Sequence, residues 1–399
     1  MKRRFAVLAV SLGLLSGQLG LSVAQSKAPG AVACRNGKAL NYTCKNIDLL
    51  SFVPNSELSG GRASDIWGWA DPETKKEYAL MGSTKGLEFV DISNPTKPVY
   101  LGALQPKADG TLIWQDVEVY KDHAYVVCDL APCGVQVFDL THLRDAPQQP
   151  QTWVPDFVYP VPIAHTIDID TETGFAYVNG SFAFGGGPHI LDLSDPVHPK
   201  PAGFILDDGY THDSHCRVYR GPDKDYKNKE ICFNFNEDSM NVYDVSDKLA
   251  PVQLSKSTYE GASYTHSGWL TEDQRYIIVA DEIDEETFLF PTTTYIWDVR
   301  DLNKPKLINA FRAKTNAIDH NNYVLGDLVY QANYTAGLRI ADLKDVAKGE
   351  LIEIGFFDIV PESDTATYDG AWATYPFLPS GNVIVSGMGQ GLFVLRPRV

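Results

Sequence analysis

Basic residues are scarce in this chain. Its 399 residues hold 34 Lys and Arg against 51 Asp and Glu, a formal net charge of −17. Phosphate binding relies on clustered Lys and Arg that displace counterions, and no basic stripe is present, so no nucleic-acid partner is expected. Charged residues make up only 21% against 44% hydrophobic, which excludes wholesale disorder. Beyond residue 24 no run approaches the ~18 apolar residues of a spanning helix, so the mature chain should carry no transmembrane segment. The Gly-x-Ser-x-Gly of a nucleophile elbow is absent, which leaves an elbow serine without support. No two cysteines have the spacing of a zinc-binding CxxC pair. The run Gly185-Gly186-Gly187 lacks the Lys-Ser/Thr of a phosphate loop and reads as a hairpin turn.

What is present begins with an export signal. Lys2, Arg3 and Arg4 precede an almost unbroken apolar stretch from Phe5 to Leu15, and Ser22-Val23-Ala24 supplies small residues before a cut near Gln25. This predicts a signal peptide over 1–24 and a periplasmic, cell-surface or extracellular protein. A retained anchor is the alternative, against which the shortness of the run counts. Six cysteines, an even number in an exported chain, predict disulfides. Spacing alone fixes no connectivity. Nearest neighbours are the expectation: Cys34–Cys44, Cys128–Cys133 and Cys216–Cys232. Residues 25–45, with Cys34 and Cys44, read as an N-terminal segment ahead of a single domain over 46–399.

That domain repeats itself. A β-rich phrase ending in Asp, followed by a turn and a proline, appears first at Leu87-Glu88-Phe89-Val90-Asp91. It returns with its Asp at Asp139, Asp192, Asp244, Asp298 and Asp342, and the steps between them are 48, 53, 52, 54 and 44 residues. Asp ends a strand well because its carboxylate accepts backbone N–H groups of the following turn. Proline suits the edge strand that comes next, where a missing N–H costs least. Several short strands in a unit of this length indicate a β-propeller. Counting gives seven units, the last with only three strands. The apolar segment Ile47–Val53 should supply its fourth and close the ring. The expected architecture is an all-β, seven-bladed β-propeller whose seventh blade is completed by an N-terminal strand, with few helices.

The first strand of each blade lines a propeller's channel, so the residues opening those strands are the place to seek chemistry. At the repeat period they read Asp65, Gln115-Asp116, His165, His212, His266, His320 and Asp369. Four of the nine histidines fall in phase, 47, 54 and 54 residues apart. A ring of imidazoles faced by carboxylates suits one transition metal ion, Cu, Fe or Zn. The candidate ligands are His165, His212, His266, His320, Asp65, Asp116 and Asp369, and Asp213, His215 and Asp319 are candidates to orient them. The alternative is a wet pore whose polar side chains bind backbone and water only. A second acidic run after the second strand of blade 5, with Asp281, Asp284 and Glu285, offers oxygens for Ca²⁺ or forms a solvated loop. The recurring tryptophans Trp67, Trp69, Trp114, Trp269, Trp297 and Trp372 are expected to pack between blades.

These residues together resemble the choice-of-anchor B family of exported bacterial proteins, which carry LVIVD-type propeller repeats. The resemblance spans nearly the whole mature chain. It rests on Asp65-Ile66-Trp67-Gly68-Trp69, Phe89-Val90-Asp91-Ile92-Ser93, Tyr210-Thr211-His212-Asp213, Tyr264-Thr265-His266, Ile318-Asp319-His320 and Gly391 to Pro397. It implies a secreted or surface-displayed propeller and brings no firm activity. Two functions follow as expectations. One is a binding or scaffold protein that holds a protein or small-molecule partner at a propeller face. The other is a metal-dependent oxidoreductase or hydrolase that uses the channel His/Asp ring.

Overall fold

Each of the six recurring aspartates is the last residue of a third blade strand, and each accepts the N–H two residues ahead. The acceptors and donors run Asp91 from Ser93, Asp139 from Thr141, Asp192 from Ser194, Asp244 from Ser246, Asp298 from Arg300 and Asp342 from Lys344, at 2.7–3.1 Å. The repeated carboxylate is thus a repeated turn closure. A computed structural model describes residues 30–106, 114–147, 149–181, 183 and 185–399. The expected signal peptide, 1–24, lies outside the described residues.

The strands form seven sheets in a ring. In blade 1 they run Ala63–Ala70, Glu77–Ser83, Gly86–Asp91 and Val99–Leu104. Blade 7 has three strands of its own, Ala371–Tyr375, Val383–Gly387 and Gly391–Pro397. Its fourth is Ile47–Pro54, which pairs antiparallel with Gly391–Pro397 from Ile47↔Pro397 to Pro54↔Gly391. The ring therefore closes as the sequence predicts. Residues 38–45 do more than precede it. Strands Lys38–Ala39 and Tyr42–Lys45 extend the sheet of blade 6, with Cys44 opposite Phe357.

Blade 2 departs from the repeat. After Asp139 the chain makes a 3-10 turn over Leu140–Asp145. It then lays Gln151–Trp153 parallel to the outer strand of blade 1, and only afterwards supplies its own outer strand, Phe157–Tyr159. The proline at 147 does not start an edge strand here.

Alternation along each strand sends side chains to opposite neighbours. Tyr78 and Leu80 join the apolar cluster shared with blade 2, while Ala79 and Met81 join the one shared with blade 7. Seven such clusters fill the seven blade interfaces. Among the described residues the only α-helix is Asp284–Phe288. The disulfides join nearest neighbours, Cys34–Cys44, Cys128–Cys133 and Cys216–Cys232. The last of these links directly opposed residues of the two innermost strands of blade 4. Gly185 and Gly186 turn a hairpin at φ 69° and 93°, and a Cβ at Gly186 would stand 2.7 Å from the Tyr210 Cα.

Candidate functional site

The inner strands line the channel in tiers. Cross-blade bonds identify the opening tier: the Ser64 hydroxyl donates to the Gln115 carbonyl, and the Nδ1 atoms of His212 and His320 face the carbonyls of His266 and Trp372. The tier is therefore Ser64, Gln115, His165, His212, His266, His320 and Trp372. Asp65 and Asp116 belong one residue further along. Asp369 lies before the strand, its side chain about half exposed and 4.0 Å from Arg62; the channel lining does not include it. A third tier, near Trp67, Trp269, Tyr323 and Tyr375, is aromatic, with Trp67–Tyr375 at 5.0 Å and Trp269–Tyr323 at 5.2 Å. All six tryptophans pack in or against the clusters between blades, as expected, and Trp67, Trp114, Trp269 and Trp372 also line the channel. The enclosed space is only ≈ 60 Å³, room for about four waters at ~15 Å³ each. An ion with its waters fits there.

The four in-phase histidines come together along one arc. Ring centroids stand 4.2 Å apart for His165–His212, 4.1 Å for His212–His266 and 4.3 Å for His266–His320. His212, His266 and His320 are buried. A carbonyl can only accept, so the His212 Nδ1 donates to His266 at 3.1 Å and the His320 Nδ1 to Trp372 at 2.6 Å. His165 instead bonds Asp129 through Nδ1 at 2.8 Å. Burial, then the neighbouring imidazoles, holds His212 and His266 well below the usual histidine range, and burial brings His320 down to about 3. With neutral rings and Nδ1 protonated, Nε2 of His212 and His320 is a bare lone pair.

Glu282 answers that arc. Its carboxylate oxygens stand 3.5 Å from the His266 Nε2 and 3.4 Å from the His320 Nε2, and one accepts the Tyr334 hydroxyl at 2.5 Å. Burial raises its carboxyl to about 7 against the Tyr334 bond, with Asp281 and Glu286 adding to the rise. His212, His266 and Glu282 each offer one ligand atom, all within 4.8 Å of one another. Two ligands held ~2.0–2.1 Å from one tetrahedral ion stand roughly 3.4 Å apart, so these gaps match a shared metal.

The carboxylates across the channel are arranged otherwise. The Val117 N–H donates to Asp65 at 3.3 Å, Ile167 to Asp116 at 2.7 Å, Ile169 to Glu118 at 2.8 Å and Cys216 to Asp168 at 2.7 Å. Each latches the next blade. Asp65 and Asp116 share a hydrogen bond, and burial raises Asp65 to about 7 and Asp116 well above the carboxylate range, the latter also through the Asp65 charge. Arg217 pairs with Asp168 at 2.8 Å.

None of the three expected orienting residues does that job. Asp213 sits in the acidic tier beside Asp116 and Asp168, His215 packs on Trp269 at 4.1 Å, and Asp319 faces Asp284 and Glu285. The work falls to Asp129, Glu282, Tyr334 and two carbonyls. Glu282 lies inside the acidic run already singled out, which was its signal; Asp129 carried none. Of the expected Ca²⁺ ligands, Asp281 is fully engaged, accepting from Tyr259, Ser263 and Tyr264 at 2.7–2.8 Å.

Comparison with known proteins bears on the repeat. A family model described as the LVIVD repeat matches residues 60–104, which cover blade 1 and its Asp91 phrase. Residues 60–104 are thus similar to the LVIVD repeat. No curated protein matches it. Among solved structures, the chain is similar to a protein from Lactobacillus plantarum, with 14% identity, TM-score 0.52, 81% of this chain and 88% of that one covered. It is also similar to the β-propeller domain of Myceliophteria thermophila Cps50 (Swd1), with 10% identity, TM-score 0.53 and coverage of 85% and 98%. At such identities the likeness concerns fold alone. No helix among the described residues is long and apolar enough to cross a membrane.

Proposed function

We propose that this protein is an exported propeller of the choice-of-anchor B type. In this reading it binds one divalent transition metal ion, Cu, Fe or Zn, at the imidazole arc and presents it to a partner at the channel mouth. The ligands are His212, His266 and Glu282, with His320 beside Glu282 as a fourth donor. The observation that carries the reading is the pair of 3.4–3.5 Å gaps between imidazole Nε2 atoms and the Glu282 carboxylate. Lone pairs facing a carboxylate at that range repel unless a proton or a metal stands between them, and nitrogen-rich sets select transition metals. Locked Nδ1–H groups orient the His212 and His320 rings as outer partners do in metal sites. Three disulfides and the basic-then-apolar N-terminus support export.

Metal analysis of protein equilibrated separately with Zn²⁺, Cu²⁺ and Fe²⁺ tests the proposal. One ion per chain is expected, lost in the His212→Ala/His266→Ala double variant. Wild-type protein that retains no stoichiometric metal, or a double variant that retains it, overturns the reading.

A further inference from the structure

A second cluster lies back to back with the arc. Asp284 and Glu285 follow Glu282 by two and three residues, and Asp319 precedes His320. The three carboxylates each offer an oxygen within 4.8 Å of the others, and their exposures are 0%, 1% and 0%. The outer oxygens are held from behind: the Tyr295 hydroxyl donates to the Asp284 Oδ2 at 2.6 Å, and the Thr293 N–H to the Glu285 Oε1 at 2.7 Å. The inner oxygens, Asp284 Oδ1, Glu285 Oε2 and both of Asp319, lack a donor in good hydrogen-bond geometry; Asp284 and Glu285 face each other, and the Asp281 N–H is directed at Asp319.

Asp319 is the decisive residue. A wholly buried carboxylate aimed at two others, with only the Asp281 N–H directed at it, is among the costlier arrangements a protein can hold. Its charged neighbours are Glu285, Asp284 and Asp281, all of one sign, and no cation balances them. A solvated acidic loop would be exposed, and this cluster is not; its donors reach only the outer oxygens of Asp284 and Glu285 in good geometry. Its donors are all oxygens, the preference of a hard cation, in contrast to the nitrogens of the arc.

We infer that Asp284, Glu285 and Asp319 form a site for a hard divalent cation of the Ca²⁺ class, separate from the imidazole arc. It joins the segment after the second strand of blade 5 to the entrance of the first strand of blade 6. Asp319 takes the place that the sequence assigned to Asp281, whose oxygens are already occupied.

The test uses the full exported chain, stripped of metal, with Ca²⁺ and Tb³⁺ as probes. Tyr295 touches the site, so tyrosine excitation should sensitise Tb³⁺ emission, and Ca²⁺ should quench it by displacement. Ca²⁺ at a hundredfold excess over its dissociation constant should raise Tm by about 3–5 °C relative to EGTA. Asp319→Asn keeps the shape of the side chain but removes an anionic ligand, so this variant should show no Ca²⁺ increment. His212→Ala/His266→Ala should keep the full increment. A wild-type Tm equal in EGTA and Ca²⁺, an Asp319→Asn variant with the wild-type increment, or its loss in the double histidine variant overturns the inference.

Discussion

Blades 1 and 2 and blades 3 to 6 place side chains near the start of equivalent inner strands, yet the two arcs use them in opposite ways. Asp65 and Asp116 direct an oxygen at the next blade's N–H and hold protons between them. His212 and His320 also reach the next blade, through Nδ1–H to a carbonyl, but an imidazole has a second nitrogen to spare. The difference teaches why the histidine arc, and not the carboxylate arc, is the candidate for ligand chemistry. A two-ended side chain can latch and coordinate together. The arcs also titrate with opposite sign. Carboxyls raised by burial favour the folded state at low pH, and imidazoles lowered by burial favour it at high pH.

The sharpest way to break the contrast is at Glu282. Glu282→Gln should weaken metal binding at least as much as loss of an outer partner, about 10–100-fold, in competition with a chromophoric chelator. Asp65→Asn should leave that affinity unchanged, and a comparable drop there would erase the distinction between arcs. Next in size, Asp116→Ala leaves the Ile167 N–H buried and unpaired, which should cost about 1–3 kcal/mol in urea unfolding. Asp116→Asn keeps an acceptor and should cost less.

A pH series on chelated protein sharpens the contrast further. Asp65, at about 7 when folded and near 3.9 when unfolded, stabilises the fold fully below pH ~4 and loses that contribution as pH rises to 7. His320, at about 3 when folded, acts in reverse: its contribution is present above pH ~6.5 and lost as pH falls towards 3. Asp65→Asn removes only the first. Between pH 4 and 7 its stability should therefore gain on wild type by up to about 1.4 kcal/mol per pH unit; a constant difference would refute the assignment. The smallest effect should come from His165→Gln. That ring is tied to Asp129 and lies outside the grouped donors, so metal affinity should change by well under the ~10-fold of an outer partner.

The ring was legible because its signals are local. An Asp that closes a turn two residues ahead must stand at the end of its strand, and six did. Nearest-neighbour cysteines on hairpins and adjoining strands behaved the same way. The site was legible only in part. The period located the four histidines, but an offset of one residue separated Ser64 from Asp65, and blade 7 offers Trp372 where Asp369 was expected. Neighbouring residues on a strand point to opposite sides. That is why Asp319 and His320, read as one unit, serve different clusters. Glu282 and Asp129 come from segments after second strands, which do not repeat in phase. The parallel strand at 151–153 is equally invisible to a period count, since it pairs with the preceding blade.

The join between 47–54 and 391–397 also sets an order of events in the cell. The strand that needs a partner leaves the ribosome more than 300 residues before that partner does. Until 391–397 has emerged, the nascent chain holds an open stack with an unpaired apolar edge at each end. Such edges invite pairing with other chains. Loss of strand 391–397 should therefore leave both edges open at once, and a helper that shields those edges would matter most before that strand emerges.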